Sequence, residues 1–235
     1  TSDDAGTNRE SGTTASFSPP ADSWLYLTFL GNPASGGATP TFETPTNTGT
    51  ALTWEKILEV NNASGGAVVV WRAYNASLQT GITVSGSILW SVNGGGGSGM
   101  WVDVWTGCKA SQAGAATATT TGTSTTNDFG VTTTATGARV VLAAIDWNVT
   151  TPAPTSSDTI DGYTSPGASS GGRVYKAADS GAPGAVTCNL VWGSAGSIGS
   201  FGAYEILAPV AGTALDDSGW NPIEPQTNPL TVSVW

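Results

Sequence analysis

The chain has 235 residues, of which 10% are charged, and 7 basic against 17 acidic side chains give a net charge of 7 − 17 = −10. So few basic groups cannot supply a phosphate-binding surface, which excludes nucleic acid as a partner and argues equally against an anionic membrane. The absence of His removes every Ser–His, Cys–His and His-ligated metal arrangement, while 39% hydrophobic residues, with 10 Trp among them, are enough to build a core.

Residues 1–12 are polar and charged without periodicity and read as an N-terminal arm. No charged segment followed by an apolar one opens the chain, and Thr1 stands where an initiator Met would, so the reading is of a chain processed or taken from a longer one. From residue 13 to 207, short apolar runs alternate with Gly, Ser, Thr, Pro and Asn, and no window sustains an i, i+3, i+4 pattern. None approaches the ~18 apolar residues of a membrane span. This predicts an all-β domain over 13–207, with strands near 13–18, 23–30, 50–60, 67–74, 80–92, 99–107, 128–134, 138–146, 171–177, 184–193 and 199–207. Ile82-x-Val84-x-Gly86-x-Ile88-x-Trp90 alternates as a half-buried strand does, whereas Trp24–Leu30 and Val140–Ile145 are nearly continuous apolar runs suited to central positions. The glycine run within Asn93–Gly99 has neither the Lys-Ser/Thr nor the following helix of a phosphate loop and reads as a hairpin connection. Residues 110–127 read as a long surface excursion.

The two halves match in order. Thr14-Ala15-Ser16-Phe17 with Trp24–Leu30 has a counterpart in Thr133–Thr136 with Val140–Trp147. Gly65-Gly66-Ala67-Val68 corresponds to Gly171-Gly172-Arg173-Val174, Gly81-Ile82-Thr83-Val84 to Gly184-Ala185-Val186-Thr187, and Trp101-Val102-Asp103-Val104 to Ala203-Tyr204-Glu205-Ile206. Pseudo-repeats over about 13–107 and 128–207 imply one unit used twice. A single sheet cannot cover its own apolar face, so the prediction is a two-sheet antiparallel β-sandwich of jelly-roll type, its sheets about 10 Å apart.

Candidate chemistry is sparse. Asp103 and Glu205 fall at matching places and would be the acids of a glycosidase if they flanked one cleft. The plainer reading makes each the solvent-facing member of an edge strand. Asp158 and Asp161-Gly162 could lend oxygens to Ca²⁺ but fit a turn better. No cofactor, metal or catalytic residue is predicted. Cys108 and Cys188 could pair, yet Cys188 sits in an alternating strand as a small core residue would, which favours free thiols. Sequons stand at Asn62, Asn75 and Asn148. Trp24, Trp71, Trp90, Trp105 and Trp192 lie in apolar strands and are assigned to the core. Trp147, at a strand end between Asp146 and Asn148, is the candidate for an exposed aromatic, with core or subunit contact the favoured alternative.

Residues 208–235 differ from the rest. Pro209, Pro222, Pro225 and Pro229 forbid helix, and Leu230-Thr231-Val232-Ser233-Val234-Trp235 alternates as a strand. The segment reads as an extended C-terminal arm of roughly 22 residues at up to ~3.3 Å each, ending in a strand that can fold back on its own sheet edge or, the preferred reading, add to a neighbour's sheet. Leu230, Val232, Val234 and Trp235 are its candidate subunit contacts.

The run Thr14-Ala15-Ser16-Phe17-Ser18-Pro19-Pro20-Ala21-Asp22-Ser23, followed by Leu25-Tyr26-Leu27 and by Leu52-Thr53-Trp54, resembles β-sandwich virion surface proteins of tailed bacteriophages infecting actinobacteria. So do Asp103-Val104-Trp105-Thr106-Gly107 and the stretch from Thr136 to Trp147. The resemblance covers about residues 13–207, rests on strand starts and turns, and carries no catalytic residue. It implies a non-enzymatic virion protein on the particle exterior. The preferred role is a capsid decoration (cement) protein, a homo-oligomer touching its own copies and a major capsid or other virion protein through its arms. The alternative is a tail-fibre or lectin-like module that binds host surface glycan.

Overall fold

The computed structural model describes residues 9–33, 39–62, 65–91, 95–123, 126–147, 159–164, 169–176, 181–191 and 198–209. Among them no helix occurs. The first half contains β1 (Arg9–Thr13), β2 (Ser23–Pro33), β3 (Pro40–Phe42), β4 (Thr46–Asn47), β5 (Glu55–Asn62), β6 (Gly66–Asn75), β7 (Val84–Trp90) and β8 (Gly95–Trp105). The second half contains β9 (Thr117–Thr123), β10 (Thr126–Thr132), β11 (Arg139–Trp147), β12 (Thr159–Thr164), β13 (Ser169–Tyr175), β14 (Ala185–Val191) and β15 (Ile198–Ile206).

Every pairing between these strands is antiparallel. In the first half β2 lies between β6 and β8, giving an inner sheet of order β5-β6-β2-β8. In the second half β11 lies between β13 and β15, and the inner sheet runs β12-β13-β11-β15-β9. The connectivity of the first is thus repeated in the second, with β9 added at one edge. Each inner sheet has an outer companion: β1-β7-β3, with β4 also on β7, covers the first, and the β10-β14 pair covers the second.

The chain is therefore a β-sandwich of antiparallel sheets, as its composition and periodicity predict, and the described residues form four sheets, one outer and one inner in each half. Three apolar cores separate them. Leu25, Leu27, Phe29, Val69, Ile88 and Met100 fill the first, between outer and inner sheets of the first half. Tyr26, Val68, Val70, Trp101, Val141 and Tyr204 belong to the central core, where the two inner sheets meet. Val140, Leu142, Val174, Cys188 and Phe201 fill the third. Successive residues of β2 and β11 point to opposite faces, and both faces are covered. That is why their sequences read as unbroken apolar runs. Burying each such side chain contributes about 1.5–3 kcal/mol. β7 has only one covered face, so Val84, Gly86, Ile88 and Trp90 are buried while Ser85, Ser87 and Leu89 look outward.

The inner sheets approach closely where residues are small. A Cβ on Gly66 (φ 99°) would lie 2.9 Å from Ile145 Cγ2 and 3.0 Å from the Gly31 carbonyl oxygen, so this position requires glycine on two counts. The Ser200 hydroxyl of the facing sheet donates to the Gly66 carbonyl at 2.7 Å.

Four readings need correction. The predicted arm 1–12 is structured from Arg9 onward: residues 9–13 form β1, paired with β7 from Arg9↔Leu89 to Thr13↔Ser85. Its polar lettering hides the strand, because the inward positions are Glu10 and Gly12 rather than aliphatic residues. The predicted excursion 110–127 contains β9, which pairs along β15 from Thr117↔Tyr204 to Thr123↔Ile198, and also the first residues of β10. Its threonines suit a pleated strand whose outer side is wet. The glycine run expected as a hairpin connection is strand from Gly95, paired to Pro33 and Asn32 of β2. Asp161, expected in a turn, lies in β12, where the register with β13 shifts between Ile160 and Gly162.

Candidate functional site

Asp103 and Glu205 carry the only paired-carboxylate hypothesis of the sequence, and the structure separates them. Both are buried, at 2% and 1% exposure, which corrects the expectation of solvent-facing positions. Asp103 alternates with Trp101 and Trp105 on β8 and faces the central core. Glu205 alternates with Phe201 and Ala203 on β15 and faces the third core. The two carboxylates thus lie on opposite sides of the second inner sheet and cannot flank a common glycosidic bond.

The difference exposes a register error in the sequence repeat. The proposed correspondence equates Asp103 with Glu205, Ala67 with Arg173, and Val84 with Thr187. In each pair one side chain faces its own half's outer core and the other does not. The order of strands is repeated, but the match between them is out by one residue, and one residue turns every side chain to the other face.

Each carboxylate has a structural occupation. Asp103 pairs with Arg173 of β13, itself fully buried, so this ion pair ties one inner sheet to the other. The Arg173 guanidinium also lies 5.2 Å from the centre of the Trp101 ring. Beside it Tyr26 and Tyr204 stack across the join, with ring centroids 5.2 Å apart and planes inclined by 10°. Burial pushes both phenols well above the usual tyrosine range; the Arg72 guanidinium opposes this at Tyr26, and the Asp103 carboxylate adds to it at Tyr204. Glu205 accepts the backbone N–H groups of Ala116 (2.8 Å), Thr134 (2.8 Å) and Ala135 (3.1 Å), and the Thr134 hydroxyl at 2.8 Å. It fixes the turns before β9 and after β10.

Gln112 is a polar anchor that sequence reading missed. Its side-chain carbonyl accepts the Leu207 N–H at 2.7 Å, its amide donates to the Leu207 and Lys109 carbonyls, and its own backbone carbonyl accepts Arg72 Nη1 at 2.8 Å. Nothing in a Gln between Ser111 and Ala113 signals this, since the partners are 40 and 95 residues away.

The remaining candidates distribute as follows. Trp24, Trp71, Trp90 and Trp105 are buried as assigned, as are Trp54 and Trp101, while Trp192 lies outside the described residues. Trp147 ends β11 opposite Ser169, and its side chain lies outside the described portion. Leu230, Val232, Val234, Trp235, Asp158 and Asn148 also lie outside it. Among the described residues no three His, Cys, Asp or Glu side chains converge. Cys108 and Cys188 are free thiols, and burial pushes the Cys108 thiol up to about 12 against the lowering effect of Arg139. The Asn75 sequon is unavailable in the folded chain: its amide nitrogen donates to the Pro20 carbonyl at 2.6 Å and its oxygen accepts from Gln79 at 2.9 Å.

A concave surface is open among the described residues. It lies on the outward side of the first outer sheet, encloses about 450 Å³, and is lined by Arg9, Ser11, Thr13, Glu43, Thr46, Ser85 and Ser87 among others. Arg9 Nη2 reaches Glu43 Oε1 at 2.6 Å across β7. The Ser87 hydroxyl donates to Glu43 Oε2, and the Thr13 and Ser85 hydroxyls lie 2.8 Å apart.

No known protein family, curated protein or solved structure matches this chain.

Proposed function

We propose that this chain is a non-enzymatic structural protein of a tailed-phage virion, a capsid decoration protein on the head exterior that contacts its own copies and a major capsid or other virion protein through its terminal arms. The observation that carries the reading is the use made of the buried carboxylates. Asp103 joins two sheets and Glu205 holds two turns, so both members of the strongest acid pair of the sequence are taken up in positioning parts of the fold. Four stacked layers with doubly covered inner sheets suit a protein that resists unfolding and proteolysis at a particle surface. The acidic surface keeps free copies apart in solution.

In this reading the Leu230–Trp235 strand supplies attachment, by main-chain hydrogen bonds to a neighbour and by burying Leu230, Val232, Val234 and Trp235. Deleting residues 209–235 then abolishes co-sedimentation with purified particles and leaves the far-ultraviolet circular dichroism of the sandwich unchanged. Unchanged particle affinity in the truncated chain refutes attachment through the arm. A second reading, the tail-fibre or lectin-like glycan module, draws on the polar groove of the first outer sheet. It does not draw on a tryptophan platform, because the large hydrophobics exposed among the described residues are Leu78 and Leu89.

A further inference from the structure

The outward face of the first outer sheet forms a small grid. β7 runs through the middle, with β1 on one side and β3 and β4 on the other. Register places Thr13, Ser85 and Thr46 in one row. Ser11 and Ser87 share the next row with Glu43, whose N–H donates to the Ser87 carbonyl at 3.1 Å. Arg9, Leu89 and Thr41 form the third. Neighbouring strands lie about 4.8 Å apart and successive outward residues on one strand about 6.7 Å apart, so hydroxyl groups repeat on the scale of a sugar ring. The short serines of β7 keep the floor low. Arg9 and Glu43 rise over it and meet, which closes one end.

The chemistry of this groove selects a ligand by elimination. Its two formal charges cancel in the Arg9–Glu43 pair, and the chain as a whole carries −10, so anions gain little there. The Arg9 guanidinium beside Glu43 likewise disfavours a cation. The lining holds no large apolar side chain to receive a hydrophobic ligand. What remains is a dense set of neutral donors and acceptors with one carboxylate already fixed by the Ser87 hydroxyl and Arg9. Such pre-ordering lowers the entropy lost on binding. About 450 Å³ is within the range of small-ligand sites.

β3, β4 and the turn between them lie in the connection from β2 to β5, and they supply Glu43, Thr44 and Thr46 to the groove wall. Among the described residues the matching outer sheet of the second half consists of β10 and β14 alone.

We propose that this groove binds an uncharged, polyhydroxylated ligand, a neutral glycan, with Glu43 accepting two sugar hydroxyls and Ser11, Ser85 and Thr46 completing the contacts. The proposal gives the glycan reading its site and stands independently of attachment through the arm. The test is heteronuclear NMR on the full chain titrated with maltotriose, cellotriose, mannotriose and chitotriose at millimolar concentration. The expected result is a saturable shift with at least one of the four, confined to residues 9–13, 43–46 and 85–87. Glu43→Ala should weaken it at least about tenfold, the equivalent of one hydrogen bond to a charged group. Ser85→Leu, which fills the floor, should do the same, and both variants should keep the parent melting temperature. Silence with all four sugars, a shift elsewhere on the surface, or an equal response to sodium phosphate would each overturn the proposal. The chain truncated at residue 208 should bind sugar as the full chain does, so failure here and failure of arm attachment are separate results.

Discussion

Tyr26 and Leu27 are neighbours in β2, yet they look into different surroundings. Leu27 enters the first core among Leu25, Phe29, Val69 and Ile88, aliphatic and aromatic groups like those of any sandwich interior. Tyr26 enters the central core, where it stacks on Tyr204 beside the Asp103–Arg173 pair. The first core belongs to one half of the chain. The central one is a join between halves, and it has the features of a protein–protein contact: aromatic anchors, a buried Arg, and a fully buried ion pair at a defined place. Apolar attraction has no direction of its own, whereas a buried charge pair has one satisfactory alignment. The contrast therefore assigns cohesion to the outer cores and alignment to the central one.

The strongest way to break this contrast is Arg173→Met. It leaves Asp103 in the interior without its guanidinium, and stability should fall by about 3–5 kcal/mol in urea denaturation. Adding Asp103→Leu should restore most of the loss, because an apolar pair can fill the same space. A double variant as weak as the single one would mean that the ion pair contributes cohesion as well as alignment. Next in size, Glu205→Ala withdraws the acceptor of three backbone N–H groups and should cost about 3 kcal/mol, with Glu205→Gln intermediate because one oxygen remains. Proteolysis within 110–116 should speed up in step, since that is where the turn before β9 loses its hold.

The smallest effect concerns the tyrosines of the join. Below about pH 10 a phenol is protonated in both the folded and the unfolded chain. Above it the unfolded chain releases protons that buried Tyr26 and Tyr204 retain, so stability should fall as pH rises, by about 1.4 kcal/mol per pH unit for each tyrosine. Denaturation midpoints at successive pH values above 9 measure the slope. Tyr26→Phe should roughly halve it, and a slope indifferent to that change would place the alkaline sensitivity outside the central core.

Much of the architecture was legible in the letters. The alternation of Val84–Trp90 gave a half-covered strand, the unbroken run of Trp24–Leu30 gave a doubly covered one, and the tryptophans assigned to the core and described are buried. The correspondence of successive strands between the two halves was legible too. Register was not, and the reason is physical: a strand covered on both faces is apolar at odd and even positions alike, so nothing in it marks which face is which. β1 escaped notice because its inward residues are Glu10 and Gly12, and β9 because its outward residues are threonines in a stretch that also reads as loop. For Asp103, a carboxylate between two valines looks like the wet side of an edge strand until Arg173, 70 residues away, is seen to face it.

Leu207 is held on both sides of its peptide plane pair, its N–H by the Gln112 side chain and its carbonyl by Gln112 and Lys109. The consequence is mechanical. A pull on the chain beyond Pro209 meets this clasp before it reaches β15, and the clasp is rooted in the segment that follows β8. Tension is passed into both halves at once, and β15 is spared from being peeled away rung by rung.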